Sequence, residues 1–529
     1  MIEMQTTNGV KAGPASTNNS FFRVNVMKNV LEYLENSTQK TPDKVAVIDE
    51  NGRCTYEQMM QSSRHIASSL VGQIRIGEPV AVLMEKGIPA LTSFWGIVYA
   101  GGFYVFFNPE LPIARLQQMQ QVLGARRVIT DKDHAETARQ VFAPEAVCFV
   151  EECRETPVRE QALQEVRDRM IDTDPLYANF TSGSTGTPKG VVVSHRSVLD
   201  FIDVFVPLFH ITEKDRIANQ APFDFDVSVK DIYSAIKTGA TLVTVPKTLF
   251  SRPVQLLDYL CDNRITTMIW AVSALCLITT FHGLDYRVPD TVQKVLFSGE
   301  VMPAKHLANW RSHLPHAMFV NLYGPTEITC NCTYYMLEPE RDYKQGLPIG
   351  KAFPNEQVFL LDEQNQLVTG PGTEGEICVR GTALALGYFR APEQTAAAFV
   401  QNPLNPWYPE RIYRTGDLGR YGEDGELYFT GRKDFQIKHM GHRIELEEVE
   451  RAIAAHPGID RCCCVFDEKK HKLYGFYIGD RDKKELHTQL RQVLPVYMVP
   501  GALYQMENFP LTKNGKTDRK LLLERRGQL

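Results

Sequence analysis

Short apolar, β-branched runs recur along the first two thirds of the chain, and this repetition is the feature that most restricts the fold. The runs read VAVI, PVAVLM, GVVVSH, TLVTV, KVLFSG and MFVNLYG. Longer amphipathic stretches lie between them, at residues 56–72, 254–263 and 303–314. Strand-length runs that alternate with helical patterns are typical of sheets covered by helices. The sequence therefore predicts an α/β protein built on largely parallel sheets.

The pattern changes after about residue 345. QVFLLD, GEICVRG, RIYRTGD and ELYFTGR are short runs set off by glycine, which favours a small antiparallel or barrel-like β unit. A chain of 529 residues is too long for one core. We expect a polar, disordered tail at 1–22, an N-terminal domain of helix-covered sheets with a barrel-like β subdomain at 23–432, and a small, mobile α+β C-terminal domain at 433–529.

Composition excludes several classes of protein. A net charge of −5 gives no general attraction to nucleic acid or to acidic membranes, and we expect neither as a partner. The uncharged stretch 89–107 is interrupted by Gly101 and Gly102, which favours a buried helix, turn and strand over a membrane span. Eleven cysteines include no CxxC pair, so we expect free thiols and a cytoplasmic protein.

A loop rich in glycine and hydroxyl groups is the first candidate functional feature. NFTSGSTGTPKGVVVSH, residues 179–195, combines hydroxyl donors, glycines and Lys189. Such groups, with backbone N–H groups, surround phosphates. The common phosphate-binding pattern GxxxxGK[ST] is absent, because Gly190 and Val191 follow the lysine. A flexible linker is the alternative, but linkers seldom lead directly into a valine-rich strand.

The loop at 181–190 resembles the signature of the acyl-adenylate-forming enzymes, and further motifs of that family follow in order. They are TYEQM at 55–59, AGGFYVFFNP at 100–109, NLYGPTE at 321–327, GEICVRGTALALGY at 375–388, YRTGD at 413–417, GRKDFQIKHMGHRIELEEVE at 431–450, LPVYMVP at 494–500 and NGKTDRK at 514–520. The resemblance is greatest to amino-acid adenylation domains of nonribosomal peptide synthesis, and within them to stand-alone D-alanine–carrier protein ligases.

That resemblance implies an ATP- and Mg²⁺-dependent ligase that forms an acyl-adenylate and releases pyrophosphate. The implied ATP-binding residues are Thr181, Ser182, Ser184, Thr185, Gly299, Glu300, Asn321, Tyr323, Gly324, Thr326, Asp417, Arg432 and Lys516. The implied catalytic residues are Lys189, Thr185, Glu327 and Lys516. Tyr323 is expected to stack on adenine and Asp417 to accept the ribose hydroxyls. Glu327 supplies the oxygen ligand that Mg²⁺ requires.

The resemblance also implies a domain rotation. Lys516 is expected to bridge the substrate carboxylate and the α-phosphate, where a cation stabilises developing charge. Asp434 matches the hinge. After adenylation the C-terminal domain is expected to rotate there, so that the segment IKHMGHR, residues 437–443, faces the active site while a phosphopantetheine thiol enters.

The substrate pocket implied by the resemblance points to a small amino acid, similar to serine or alanine. Its residues are Asp226, Val227, Lys230, Ile269, Leu296, Ser298, Leu322, Cys330 and Asn331. Asp226 is expected to pair with the substrate ammonium, although it could instead be a helix N-cap. Lys230 departs from small-residue pockets. Either it reads a polar or acidic substrate side chain, with Ser298 and Asn331, or it pairs with Asp226 and Asp231; we favour the second interpretation.

The acceptor is expected to be a separate phosphopantetheinylated carrier protein, because the chain ends soon after Lys520 with no attachment serine. Coenzyme A is the alternative acceptor. We expect a monomer. Two other functions compete: an acyl- or aryl-CoA ligase, which would not need Asp226, and a non-catalytic nucleotide-binding protein, which would not need Lys189, Glu327 and Lys516. Proline or an amino acid with an acidic side chain remains an alternative substrate.

Overall fold

A computed structural model describes residues 27–183, 187–344, 346–468, 470–511 and 517–526. The tail expected at 1–22 lies outside these ranges. Within them the chain up to residue 352, together with the strand Gly387–Tyr388, forms two large mixed sheets with helices between and around them, which confirms the predicted α/β class.

The first sheet has nine strands and carries most of the candidate site. In spatial order the strands are Lys351–Ala352, Thr333–Met336, Met318–Tyr323, Lys294–Ser298, Thr267–Ala271, Arg216–Asn219, Thr241–Thr244, Val45–Asp49 and Gly52–Thr55. The neighbours from Met318–Tyr323 to Val45–Asp49 run parallel. Because parallel strands end at one edge of a sheet, the segments that follow Ser298 and Tyr323 lie side by side there.

The second sheet has seven strands. In spatial order they are Gly387–Tyr388, Lys189–Ser194, Pro175–Thr181, Phe103–Phe106, Pro79–Leu83, Val128–Thr130 and Val147–Phe149. The uncharged stretch forms the helix Ile88–Tyr99 and the strand Phe103–Phe106, as predicted. Gly101 turns the chain between them at φ +84°, where a side chain would be strained. No helix in the described ranges has the length and apolar character that crossing a membrane requires.

The helices of the N-terminal part are Leu31–Lys40, Tyr56–Leu70, Ile88–Tyr99, Ile113–Leu123, Ala135–Val141, Val150–Cys153, Glu160–Arg169, His195–Leu208, Val227–Thr238, Pro253–Asp262, Val272–Thr280, Gly283–Tyr286, Ala304–His313 and Pro392–Ala398, with 3-10 turns at Pro144–Ala146, Lys247–Ser251 and Thr326–Ile328. Val227–Thr238 is buried on all sides from Val227 to Ile236. A helix enclosed in this way belongs to the core of the protein.

An antiparallel unit of six strands follows, as the short glycine-bounded runs predict. Its strands are Leu367–Val368, Glu356–Leu361, Glu374–Gly381, Arg411–Tyr421 and Phe399–Gln401, with Leu427–Arg432 also paired to Arg411–Tyr421. Residue 417 pairs with residue 432 across the last two strands. This register places Asp417 beside Arg432.

The smaller C-terminal part is α+β, as expected. It consists of the strands Gln436–His439, His442–Glu445, Ile459–Asp467, Lys472–Gly479 and Ala502–Gln505, the helices Leu446–Ala454, Lys483–Val493 and Arg519–Arg525, and a 3-10 turn at Val496–Met498. The first two strands form a separate hairpin, which we call the 436–445 hairpin. The other three form a small sheet over a core of its own that includes Leu486, Leu490 and Leu503.

Candidate functional site

Glu327 lies at the centre of the site. It sits in the 3-10 turn Thr326–Ile328, just beyond the carboxyl end of Met318–Tyr323, and its side chain is fully buried. Nη1 of Arg443 is 3.0 Å from each carboxylate oxygen, and the Tyr388 hydroxyl donates to Oε1 at 2.7 Å. Burial alone would raise the pKa of Glu327, but the Arg443 charge and the Tyr388 hydrogen bond hold it below its ordinary value. The buried carboxylate is therefore ionised.

The glycine- and hydroxyl-rich loop connects two antiparallel strands in which Thr181 pairs with Lys189. The Lys189 ammonium lies 5.0 Å from the centre of the Tyr388 ring, and burial followed by the Arg443 charge lowers its pKa. The Thr181 hydroxyl is buried without a hydrogen-bond partner among the described residues. An unpartnered hydroxyl and an ammonium beside Glu327 fit a phosphate group. Ser184 and Thr185 lie outside the described residues.

The third group of side chains surrounds Asp417. The Tyr323 hydroxyl donates to Oδ2 at 2.5 Å, and the Arg432 guanidinium donates to Oδ1. Arg432 also binds Asp434 through two nitrogens, at 2.6 and 2.8 Å. The proposed adenine, ribose and hinge residues are thus one connected network. The ammonium of Lys438 lies 5.5 Å from the centre of the Tyr323 ring.

The remaining proposed ATP residues either shape a turn or bind neighbouring backbone groups through their side chains. A Cβ on Gly324 would come within 2.4 Å of the Asn331 Cα, so only glycine fits this turn. Gly299 follows its strand at φ +98°. Glu300 accepts from the Gly441 N–H at 3.0 Å, and Asn321 donates to a backbone carbonyl, that of residue 348, at 2.8 Å.

Asp226 occupies the N-cap position of Val227–Thr238, but its side chain makes no cap hydrogen bond. The capping alternative therefore has no support in the geometry. Its carboxylate is buried, which raises its pKa, while a hydrogen bond from Thr326 and the charge of Lys230 act in the opposite direction. Asp224 instead lies at 3.4 Å from the Asn108 amide. Asp226 is thus the carboxylate beside the Glu327 turn.

The apolar residues expected in the pocket are all buried. They are Val227, Ile269, Leu296 and Leu322. Ile269 and Leu296 are register partners on neighbouring parallel strands. The Cys330 thiol donates to the Asp226 carbonyl at 3.1 Å, at a turn where Cys330 has φ +79°. The thiol hydrogen bond ties the turn that carries Cys330 to the backbone of Asp226.

The structure corrects the interpretation that we favoured for Lys230. Its fully buried ammonium lies 2.5 Å from the Asn331 Oδ1 and 3.4 Å from the Ser298 hydroxyl. Among the described residues it makes no ion pair with Asp226 or Asp231, although the charges of both carboxylates act to raise the pKa of Lys230 against the larger effect of burial. The physical reason is helical geometry: residue 231 lies about 100° around the helix from residue 230, and Asp231 accepts instead from Asn219 at 2.8 Å. Ser298 and Asn331 therefore form a polar wall with Lys230.

Sequence reasoning missed the residues that surround Glu327 from outside the turn. Arg443 and Tyr388 both lie within motifs quoted above, but neither was singled out as a site residue. The available signal was a single arginine in an otherwise strand-like segment, GHRIE, on the hairpin expected to face the site. Glu448, which accepts from Arg115 at 2.6 Å and from the Gly183 N–H at 3.3 Å, gave no such signal.

The 436–445 hairpin faces the site, and Asp434 lies directly before it. This arrangement matches the expected orientation of residues 437–443. Lys516 and the rest of 512–516 lie outside the described residues. The hinge role of Asp434 remains a prediction.

The donor set fits a magnesium ion held mainly by substrate. The described residues contain no group of three or more His, Cys, Asp or Glu side chains able to hold a metal. Mg²⁺ is commonly bound by one or two carboxylates together with substrate phosphates. The ionised Glu327, whose carboxylate feels the charge of Lys189, fits that mode of binding.

Comparison with known proteins gives consistent matches over nearly the whole chain. The family described as AMP-binding enzyme matches residues 34–389, and the AMP-binding enzyme C-terminal domain matches residues 448–516. Tyrocidine synthase 1 of Brevibacillus parabrevis is 32% identical over 504 residues, which is 94% of this chain and 45% of that protein. This chain thus spans less than half the length of that relative.

Two solved structures are also similar. Holo-PA1221, described as an NRPS protein containing adenylation and PCP domains bound to a vinylsulfonamide inhibitor, superposes with a TM-score of 0.79 at 26% identity, covering 94% of this chain and 84% of that one. IdnL1 superposes with a TM-score of 0.78 at 30% identity, covering 92% of this chain and 98% of that one.

Proposed function

Since the chain belongs to the AMP-binding enzyme family, the acyl-adenylate-forming enzymes, we propose that it activates a small amino acid as aminoacyl-AMP. The assignment of an amino acid as the substrate rests on Asp226, a buried carboxylate that does not cap its helix. Asp226 lies at the same edge of the nine-stranded sheet as Glu327. A buried carboxylate is costly unless a cation pairs with it. A substrate α-ammonium is such a cation.

In the proposed first step, a carboxylate oxygen of the amino acid forms a bond to the α-phosphorus of ATP, and the bond to pyrophosphate breaks. Thr181 and Lys189 would hold phosphate oxygens, Asp417 would hold the ribose, and Glu327 would hold Mg²⁺. Bound Mg²⁺ supplies positive charge that offsets the negative charge of the phosphates. Lys516 is proposed to bridge the two reacting anions. Catalysis of phosphoryl chemistry of this kind rests on positioning and on cations.

The side chain of the substrate is proposed to carry a hydrogen-bond acceptor. Lys230 is buried, and its described partners, Asn331 and Ser298, are neutral. A hydroxyl or a short carboxylate on the substrate would supply the missing acceptor, whereas a methyl group would not. Serine therefore fits better than alanine, and a short acidic side chain is the second candidate. The apolar wall of Ile269, Leu296 and Leu322 keeps the space small.

In the proposed second step, the sulfur of a phosphopantetheine thiol bonds to the carbonyl carbon, AMP leaves, and the thiol proton is released. We propose a separate carrier protein as the acceptor. Support comes from PA1221, which contains adenylation and PCP domains. Incubation with ATP, the amino acid and a phosphopantetheinylated carrier tests this step by mass spectrometry. An aminoacyl mass on the carrier is expected, whereas exclusive loading of coenzyme A would contradict the carrier proposal.

Binding of aminoacyl-sulfamoyl-adenosine analogues, which mimic the adenylate, tests the first step. The analogue of serine should bind at least about 100-fold more tightly than the analogue that lacks the α-amine, because Asp226 would be left unpaired. Equal affinity for the two analogues would overturn the amino-acid assignment. Calorimetry measures both constants directly.

A further inference from the structure

An open cavity lies at the amino edge of the nine-stranded sheet, opposite the edge that carries the candidate site. Its volume is about 480 Å³, within the range of roughly 300–1,000 Å³ that is usual for small-molecule pockets. Polar and charged side chains that begin strands of this sheet, or lie in the loops before them, line it. None of these residues belongs to the motifs quoted above, so the proposed function gives the cavity no role.

The charges that line this cavity are unbalanced. Lys214, Arg216 and Arg264 contribute three cations, against the single carboxylate of Asp290. Burial lowers the pKa of Arg216, and the charges of Arg53 and Arg264 lower it further. The chain as a whole carries a net charge of −5, so this edge is a local concentration of positive charge. Like charges gathered in this way repel one another unless an anion binds between them.

The buried carboxylate of Asp215, which directly precedes Arg216, does not offset this charge. Its Oδ1 accepts from the Lys294 ammonium at 2.8 Å and from the hydroxyls of Thr266 and Thr267 at 2.7 Å each. Lys294 is thus the counter-charge of Asp215. Arg216 therefore gains no counter-charge from its neighbour in the chain.

Arg264 stands at a position where the backbone favours glycine. It follows Asn263, the C-cap of the helix Pro253–Asp262, with φ +49°. Backbone hydrogen bonds from Arg264 and Ile265 close the helix as a Schellman motif, in which this residue is usually glycine. Nε of Arg216 donates to the Asn263 carbonyl, so both arginines meet at this turn. The exposed Arg264 guanidinium makes no hydrogen bond or ion pair within the described ranges.

The neutral and acidic groups of the lining suit the remainder of a ligand. Nε2 of His316 donates to the Val292 carbonyl at 3.1 Å, which leaves Nδ1 of a neutral ring as an acceptor. The side chains of Asp290 and Gln293 make no hydrogen bond with other residues in the described part of the chain. Guanidinium groups bind phosphate through two parallel hydrogen bonds, whereas a carboxylate and an amide oxygen accept from hydroxyls or amines.

We propose that this cavity binds a small molecule that carries a phosphate group, with the phosphate on Arg216 and Arg264 and a hydroxyl or amine of the ligand on Asp290 and Gln293. The strand Lys294–Ser298 begins beside the cavity and ends at the candidate site, so the length of a strand separates the two sites. The inference does not depend on the proposed function.

Calorimetric titration of the full-length protein tests this site with two probes, inorganic phosphate and glucose 6-phosphate. Arg264→Asn removes one guanidinium, and asparagine tolerates the left-handed backbone at this position. Its affinity for phosphate should fall about tenfold or more, because hydrogen bonds to a charged group are lost, and Arg216→Gln should lose a similar factor. In the wild-type protein, glucose 6-phosphate should bind more tightly than phosphate. Equal affinity for the two probes would contradict the roles of Asp290 and Gln293.

Arg53→Gln is the matched control. Arg53 adds positive charge near Arg216 but does not line the cavity, so its loss should weaken phosphate binding by about twofold at most. If Arg53→Gln weakened binding as much as Arg264→Asn does, the general positive field would explain the effect and the site would be wrong.

Thermal unfolding without phosphate separates a binding role from a structural one. Arg264→Asn should unfold at the wild-type temperature or above it, because asparagine suits φ +49° better than arginine does. A lower unfolding temperature together with the lost affinity would assign Arg264 a structural role instead.

Two further results would overturn the inference. Phosphate affinity that is unchanged in both Arg264→Asn and Arg216→Gln would show that the cavity does not bind phosphate. Loss of the binding in Lys189→Gln, with none in Arg264→Asn, would place the phosphate in the candidate ATP site.

Discussion

Glu327 and Lys230 are both fully buried charges at the same edge of the nine-stranded sheet, yet their surroundings differ. Glu327 has a guanidinium on both oxygens and a tyrosine hydroxyl beside it. Lys230 has an amide oxygen and a serine hydroxyl. Burial is the main cause of the lowered pKa of Lys230. Burial alone would raise the pKa of Glu327, but the charge of Arg443 and the hydrogen bond from Tyr388 outweigh burial and lower it.

The charge of Glu327 is neutralised by another residue of the protein. The charge of Lys230 has no such partner in the described part of the chain, and we expect a ligand to supply it. A buried ion needs a counter-charge or a full set of hydrogen bonds. Glu327 obtains its counter-charge from the C-terminal hairpin. Lys230 has no carboxylate within ion-pair distance among the described residues, so we expect the substrate to supply its missing partner.

The largest effect is expected for Glu327→Gln. The amide keeps the size of the side chain but removes the charge that holds Mg²⁺ and pairs with Arg443. Amino-acid-dependent ATP–pyrophosphate exchange should fall by about 100-fold or more. Glu340→Gln, an exposed carboxylate elsewhere on the domain, is the control and should exchange normally. Near-normal exchange by Glu327→Gln would show that Glu327 does not hold Mg²⁺.

Asp226→Asn should have the next largest effect. Removing one partner of a buried ion pair costs about 3–5 kcal/mol, which should appear in kcat/KM for the amino acid and much less in the KM for ATP. Asp224→Asn is the matched control two residues earlier, and it should lose far less. Steady-state kinetics of both variants decide between the two carboxylates, and equal losses would remove the special role of Asp226.

Lys230→Met tests whether the substrate supplies the hydrogen-bond acceptor that the Lys230 ammonium lacks. If the substrate supplies the missing acceptor, discrimination between serine and alanine should shrink by about 1–3 kcal/mol, the loss expected for a hydrogen bond to a charged group. The check is the ratio of kcat/KM for the two amino acids. An unchanged ratio would show that Lys230 serves only Asn331 and Ser298.

Tyr388→Phe should have the smallest effect, about 1 kcal/mol, because one hydrogen bond to Glu327 is lost while Arg443 remains. The hydrogen bond helps to hold the pKa of Glu327 below its ordinary value of 4.5. Its loss should move the acid limb of the exchange rate to higher pH. The corresponding stabilisation is fully present above about pH 4.5 and is lost as pH falls through the lowered pKa. Superimposable pH–rate profiles for wild type and variant would contradict this assignment.

Much of the fold could be predicted from the sequence, because strand-length apolar runs and amphipathic helices have strong periodic signals. The helix, turn and strand at 88–106 and the change to antiparallel strands after residue 345 are examples. The motifs predict that Asp417 and Arg432 both bind the nucleotide, and the register of two strands brings the two residues together.

The partners of buried charges could not be predicted in the same way. A favourable helical spacing suggested that Lys230 pairs with Asp226, but its partners come from a strand end and a turn 68 and 101 residues away. Arg443 reaches Glu327 across 116 residues and between two domains. Such contacts depend on how the layers pack, which local sequence patterns do not encode.

We propose that this chain activates an amino acid with a short side chain that accepts a hydrogen bond. ATP–pyrophosphate exchange across a panel of amino acids, aryl acids and fatty acids tests it most directly. We expect the strongest Mg²⁺-dependent exchange with serine or a short acidic amino acid, weaker exchange with alanine, and none with acids that lack an α-amine. Exchange that responds best to an aryl or fatty acid, or to no amino acid, would contradict the account.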